Sequence, residues 1–259
     1  MENHEILSSQ IKLFFRQQAE LYGEEYFLLG IRTPPAQQHA TAAPVLRMQT
    51  ESAAPVKRDM TNKELLEQFN ADFKDCSNCG LSEGRTKIVL GAGSPFAKVV
   101  LIGEGPGKDE DLKGLPFVGA AGQILERMMK KMGFSRQEVY ITNIIKCRPP
   151  QNRNPMEDEI VSCSPLLEKQ ISIIKPKFIF CLGKVAANTL LKNEASLGSL
   201  RKKVYDYNGA KMYVTYHPAA LLREKSLFWD VFEDMKFFRQ AYDKEVGDKP
   251  PIPDMARKN

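Results

Sequence analysis

The sequence predicts an α/β fold: three layers, αβα, around a central, mainly parallel four-stranded sheet. Two observations carry this. Short β-branched runs alternate with longer segments of helical period from residue 98 onward. Each early run leads into a glycine- or proline-rich loop and then a helical segment, the pattern of parallel strands joined by crossover helices. The chain has 259 residues, 42% of them hydrophobic, which is enough to bury a proper core.

The elements follow in order. Residues 1–32 are expected to form an amphipathic helical segment, because Ile6, Leu7, Ile11, Phe14, Phe15, Leu21 and Tyr22 fall at helical spacing. Residues 33–60 carry Pro34, Pro35, Pro44 and Pro55 among Ala, Gln and Thr, and read as a flexible linker. The folded domain is expected over residues 61–246. Thr61 with Glu64 three positions later makes a capping box that opens a helix running to about Phe73. Ten of the 17 glycines lie between Gly80 and Gly122, so that stretch reads as mostly loop. Strands are expected at 98–102, 139–145 and 178–182, followed by helices at 119–132, 156–174 and from Gly183 to about Leu191. Residues 204–207 and 211–216 flank Asn208-Gly209, the strongest short hairpin signal. A last helix is expected at 227–242, and residues 247–259, with Pro250, Pro251 and Pro253, are expected to be disordered.

Composition narrows the function classes. No run approaches the roughly 18 apolar residues of a spanning helix, so no membrane segment is expected. The first ten residues have neither a basic n-region nor an apolar h-region, so no secretory signal is expected. Five cysteines, an odd number without a secretory context, argue for reduced thiols, a metal or cofactor site, or core packing. The net charge is a mild +5. It is uneven: residues 1–60 hold six Lys and Arg against seven Asp and Glu, and the remainder carries the whole basic surplus.

In a parallel sheet, ligands bind beyond the carboxyl ends of the strands, and the unusual residues collect there. The first strand runs into Gly103-Glu104-Gly105-Pro106-Gly107, followed by Asp109, Glu110 and Asp111. The second carries Thr142-Asn143, and the last delivers His217. GEGPG is not the dinucleotide pattern GxGxxG, Pro106 removes an amide that a phosphate cradle would use, and GxxxxGK[ST] is absent, so no nucleotide cofactor is expected. Acidic residues before a helix can serve its dipole, which accounts for 109–111 but not for Glu104 between two glycines. A carboxylate there is placed for general-base or electrostatic work.

Cys76 and Cys79 form a CxxC, with Cys147 and Cys163 far downstream. Four thiolates would close a site for zinc or an iron–sulfur cluster; the alternative is buried thiols plus a stray CxxC. Cys181 lies within the apolar run 178–182 and reads as a core thiol.

The segments GEGPGKDEDLKGLPFVGAAG (103–122), VYITNIIKCRPPQNRNP (139–155) and HPAALLR (217–223) resemble the motifs of family 4 uracil-DNA glycosylases, which carry a four-iron, four-sulfur cluster. The likeness runs from about Cys76 to about Tyr242 and leaves residues 1–60 uncovered. It implies one structural cluster on Cys76, Cys79, Cys147 and Cys163. It implies a uracil pocket in which Phe117 stacks on the base, Asn143 pairs with its edge, Glu110 walls off the thymine methyl, and His217 hydrogen-bonds a base carbonyl. The backbone of Gly103, Glu104 and Gly105 would complete that pocket.

The resemblance further implies an enzyme that flips uracil out of DNA, hydrolyses its N-glycosidic bond and leaves an abasic site for base excision repair. The catalytic groups would be Glu104, orienting water, and His217, stabilising the departing base. Leu221 and Leu222 fit a wedge that fills the space of the flipped base, and Arg148 and Arg223 fit phosphate contacts. Covalently crosslinking relatives carry a reactive His after the second motif; residues 147–155 have none, so turnover is expected. A non-catalytic nucleic-acid-binding or polymerase-associated module on the same fold is the alternative. A monomer in the reducing cytoplasm, at the nucleoid when on DNA, is expected, with residues 1–60 available to a repair or replication partner.

Overall fold

A computed structural model of the chain describes residues 60–252. The expected N-terminal helical segment and linker lie outside the described residues, apart from Met60.

The elements are α1 (Asn62–Phe73), α2 (Leu81–Gly84), β1 (Ala92–Gly93), β2 (Val99–Gly103), α3 (Lys108–Lys113), α4 (Ala120–Lys131), β3 (Tyr140–Asn143), α5 (Glu157–Ile174), β4 (Phe178–Leu182), α6 (Lys184–Leu191), α7 (Leu197–Leu200), β5 (Tyr205–Tyr207), β6 (Ala210–Thr215), α8 (Pro218–Arg223) and α9 (Phe228–Glu245). The sheet order is β1-β3-β2-β4-β6-β5. Its four central strands, β3, β2, β4 and β6, are parallel. Two short antiparallel edges, β1 and β5, extend the expected four strands to six.

Both faces of the two central strands β2 and β4 are covered, so each of these reads as a continuous apolar run. Alternate residues serve opposite layers. Val100, Ile102, Ile179 and Cys181 pack with Leu66 and Phe69 of α1 and Leu166 and Leu167 of α5. Val99, Leu101, Phe178 and Phe180 pack with Leu125 and Met129 of α4 and Met235 and Phe238 of α9. Phe180 and Phe238 stack with ring centroids 5.0 Å apart. Cys181 is fully buried and burial pushes its thiol pKa up, as a core thiol requires.

Local signals were read correctly where they stand close together. The capping box forms: the Glu64 amide donates to Thr61 Oγ1 and the Thr61 amide to Glu64 Oε2 at 2.7 Å. Asn208 and Gly209 both take positive φ between Tyr207 and Ala210, the turn that a two-residue hairpin needs.

The glycine-rich stretch is mostly loop, as expected, and the added α2, β1 and α3 within it are too short to show a hydrophobic period. One expectation needs correction. Part of the expected disordered tail is tied down. Asp248 accepts from Lys98 Nζ at 2.9 Å and from the Tyr242 hydroxyl at 2.9 Å, and Pro250 O accepts from Arg239 at 3.0 Å. Lys249 pairs with Glu138. Lys98 and Glu138 lie more than a hundred residues away along the chain, which composition does not reveal.

Candidate active site

The chain passes from β3 across β2 to β4, so the strand order reverses there, and a crevice opens beyond the carboxyl ends. Gly103 ends β2 and pairs in register with Asn143, which ends β3. His217 follows β6 by two residues and caps α8. A cavity of about 400 Å³, large enough for a base and its sugar, is lined by Glu104, Glu110, Phe117, Asn143, His217 and Arg223, among others.

Asn143 lies at the floor. It is 1% exposed, and its Oδ1 is buried with no hydrogen-bond partner. A buried acceptor left unpaired costs about 1–3 kcal/mol, which a ligand N–H would recover.

Phe117 is buried and adopts φ +52°, a left-handed conformation that is strained for an aromatic residue. The surroundings impose it. Arg136 donates to Pro116 O at 2.9 Å and to Phe117 O at 2.6 Å. Gly122 lies beneath: a Cβ there would stand 2.1 Å from Phe117 O. The Phe117 ring lies 5.6 Å from the His217 ring, centroid to centroid.

Glu110 has both oxygens occupied. It accepts from the amides of Val118 and Gly119 at 2.8 Å and of Gly107 at 3.1 Å. It therefore braces the Phe117 loop and offers a ligand bulk rather than a free acceptor.

His217 is held neutral. Burial, then the charge of Arg223, pushes its pKa down to about 4, and Glu110 only partly opposes them. Its Nδ1 accepts from the Ala219 amide at 3.2 Å, so the proton sits on Nε2. A neutral imidazole thus presents one N–H donor to the cavity. Gly183, at the end of β4, makes room for it: a Cβ there would stand 3.0 Å from His217 Cβ.

Glu104 is half-buried on the cavity wall, and burial raises its carboxyl pKa. Its backbone carbonyl accepts from the Ile145 amide at 3.1 Å, which ties the β2 loop to the segment after β3.

The DNA-facing candidates separate. Leu222 is 48% exposed, whereas Leu221 is half-buried against the core under α4 and α9. Arg223 is exposed beside the cavity. Arg148 donates to Asn152 at 2.7 Å.

Cys76, Cys79, Cys147 and Cys163 line one separate cavity with Arg85 and Lys146, and no carboxylate or imidazole joins them. Arg85 donates to Cys147 Sγ at 3.2 Å, and the Lys146 amide hydrogen-bonds Cys163. Burial pushes both thiols up, Cys163 to about 11. Around one zinc ion, four sulfurs at about 2.3 Å would stand roughly 3.8 Å apart. Among the described residues no three His, Cys, Asp or Glu side chains gather to hold a single ion. Four thiols around a shared space, with donors aimed at two sulfurs, suit an all-cysteine cluster.

Residues 90–244 match the family model "Uracil DNA glycosylase superfamily". The chain is 43% identical over 184 residues to a type-4 uracil-DNA glycosylase of Sulfurisphaera tokodaii, covering 68% of this chain and 84% of that relative. It is 39% identical over 189 residues to the type-4 uracil-DNA glycosylase of Thermotoga maritima, covering 71% of this chain and 98% of that relative. The chain belongs to the type-4 uracil-DNA glycosylase family.

Of the family residues expected from the motifs, Glu104, Gly105, Glu110, Phe117, Asn143 and His217 converge on the one cavity, with Gly103 beneath Asn143 and Phe117. Arg136, Arg85 and Lys146 were not singled out from the sequence. The Phe117-loop carbonyls held by Arg136 and the Cys147 thiol held by Arg85 lie 19 to 62 residues away, and no local pattern marks such a contact.

Proposed function

We propose that this chain excises uracil from DNA by hydrolysing its N-glycosidic bond. One observation carries the reading: a buried, unpartnered Asn143 Oδ1 and a neutral His217 N–H share a cavity roofed by Phe117. Uracil meets this pattern. Its N3–H satisfies Asn143 Oδ1 and its O4 accepts from the same amide. Cytosine has no N3–H and carries an amine in place of O4, so Asn143 would be left unpaired against it.

The target nucleotide must leave the stack to enter. Phe117 then stacks on the base, and Glu110 closes the wall beside C5. Leu222 fills the vacated space, and Arg148 and Arg223 meet phosphates. As the C1′–N1 bond breaks, its electron pair stays on uracil, and the sugar becomes positive. His217 Nε2–H donates to the uracil oxygen where negative charge grows; the low pKa keeps the imidazole neutral, and a neutral imidazole N–H is too weak an acid to give up its proton. Glu104 holds water against C1′, offsets the sugar's charge and accepts the water's proton. Water adds to C1′, leaving an abasic sugar; the proton held by Glu104 returns through solvent to the uracil anion, which departs as free uracil.

Cys76, Cys79, Cys147 and Cys163 would hold a four-iron, four-sulfur cluster. When bound, the cluster supplies bracing for the segments after α1 and β3 rather than a reactive centre. Among the described residues no helix is long and apolar enough to cross a membrane. We place the protein in the reducing cytoplasm as a monomer acting on DNA.

The test is incubation with a single-uracil oligonucleotide. Free uracil and an alkali-labile site are expected; binding without product would instead identify a non-catalytic module. Glu104→Gln should lower the rate by about 10²–10⁴-fold. The wild-type rate should fall as pH drops through the raised Glu104 pKa, and the variant should lack that limb.

A further inference from the structure

Lys146 is fully buried between the β3 end and the cysteine cavity. Its ammonium donates three hydrogen bonds: to Thr142 Oγ1 at 2.6 Å, Gln170 Oε1 at 2.7 Å and Asn143 O at 2.8 Å. All three acceptors are neutral. The acceptors are themselves fixed, since Gln170 Nε2 donates to Leu90 O and to the Tyr140 hydroxyl, and Thr142 Oγ1 donates to Leu90 O. Among the described residues no carboxylate forms an ion pair with Lys146.

A buried cation without an anion is expensive unless a counter-charge lies nearby. The groups near it that become anionic on ligation are the cysteines. The Lys146 backbone amide hydrogen-bonds Cys163 and the side-chain charge acts on that thiol, while the next residue, Cys147, accepts from Arg85. Burial pulls the Lys146 pKa down to about 7 and the Cys163 charge opposes that, but its nitrogen donates to three acceptors at once, which a neutral amine with two N–H bonds cannot do. The cavity is lined by four thiols, two basic residues and no acid.

We infer that Lys146 is a positioning residue with two contacts: its charge balances the thiolate-ligated cluster, and its ammonium fixes the Asn143 carbonyl so that the base-reading amide is held in register. The second half rests on the uracil-excision reading; the first does not. Lys146 thus links cluster occupancy to the pocket floor through one side chain.

The test uses the full chain purified with its iron, in two variants. Lys146→Gln removes the charge but keeps a donor near Asn143 O. Lys146→Met removes both. Both should lose iron to a chelator about 10- to 100-fold faster than wild type and show a more negative cluster reduction potential. Lys146→Met should lose uracil release by about 10- to 100-fold, with the KM for DNA little changed. Lys146→Gln, which keeps an amide donor, should lose less release than Lys146→Met.

Wild-type potential and iron retention in both variants overturn the counter-charge. Undiminished release by Lys146→Met overturns the link to Asn143. If Lys146→Met does not fold, Lys146→Gln decides, and an unshifted potential there overturns the inference. A wild-type protein that releases no uracil sinks the excision reading while leaving the potential and iron measurements to judge the charge.

Discussion

Gly103 and Asn143 face each other across the register of β2 and β3, and a Cβ at residue 103 would stand 2.5 Å from Asn143 Oδ1. The same Cβ would stand 2.6 Å from Phe117 Cζ. One absent methyl therefore lets the floor and the roof of the pocket approach. Gly103→Ala should push both side chains aside and lower kcat/KM for uracil release by about 100-fold, the scale of a 1 Å misplacement. Asn143→Ala should be at least as damaging and should also narrow the preference for uracil over cytosine. Steady-state kinetics on paired uracil and cytosine oligonucleotides measure both; full activity in Asn143→Ala would remove that residue from base reading.

His217 links catalysis to stability. His217→Ala should cost about 10²–10³-fold in kcat, as loss of one preorganised donor does. The unfolded imidazole takes up its proton near pH 6.5 and the folded one only near pH 4. Between those values the unfolded state binds more protons, so stability falls as pH drops from about 6.5 to about 4. The full effect is about 3 kcal/mol. Urea unfolding at pH 7 and pH 4.5 should show a larger loss for wild type than for His217→Gln; equal losses would contradict the buried neutral imidazole.

The two leucines of α8 should behave differently. Leu222 is exposed and Leu221 packs on the core. Leu222→Ala should leave stability within about 0.5 kcal/mol while lowering activity on duplex uracil more than on single strands. Leu221→Ala should lower the melting temperature. If Leu222→Ala matches wild type on duplex DNA, the wedge lies elsewhere.

The cysteines divide four and one. Cys163→Ser should abolish the visible absorption of the cluster and its iron content. Cys181→Ser should keep both, but should cost about 1–3 kcal/mol because a hydroxyl would be buried without an assigned partner. Iron analysis beside thermal unfolding separates these outcomes, and iron loss in Cys181→Ser would refute the division.

Much of this was written locally in the chain. The Thr61–Glu64 box, the Asn208-Gly209 hairpin and the apolar run Phe178–Leu182 each depend on residues within a few positions of one another. That is why periodicity and turn chemistry find them. The motifs likewise marked Glu104, Asn143 and His217, because each stands at a strand end where a polar residue is out of place.

The tertiary structure decided the rest. It set the protonation of His217, because burial and Arg223 act through space. It turned Glu110 into a brace for the Phe117 loop, and Arg136 into a clamp on the same loop from about twenty residues away. It held Asp248 and Pro250 against elements that composition gave no reason to connect. The sequence by itself determined the parallel strands, the longer helices and the residues delivered to the sheet edge, since those follow from neighbour-to-neighbour geometry. Only the packed fold determined their charge states, their free and occupied atoms and which leucine meets solvent, because burial and hydrogen bonding are properties of distant segments brought together.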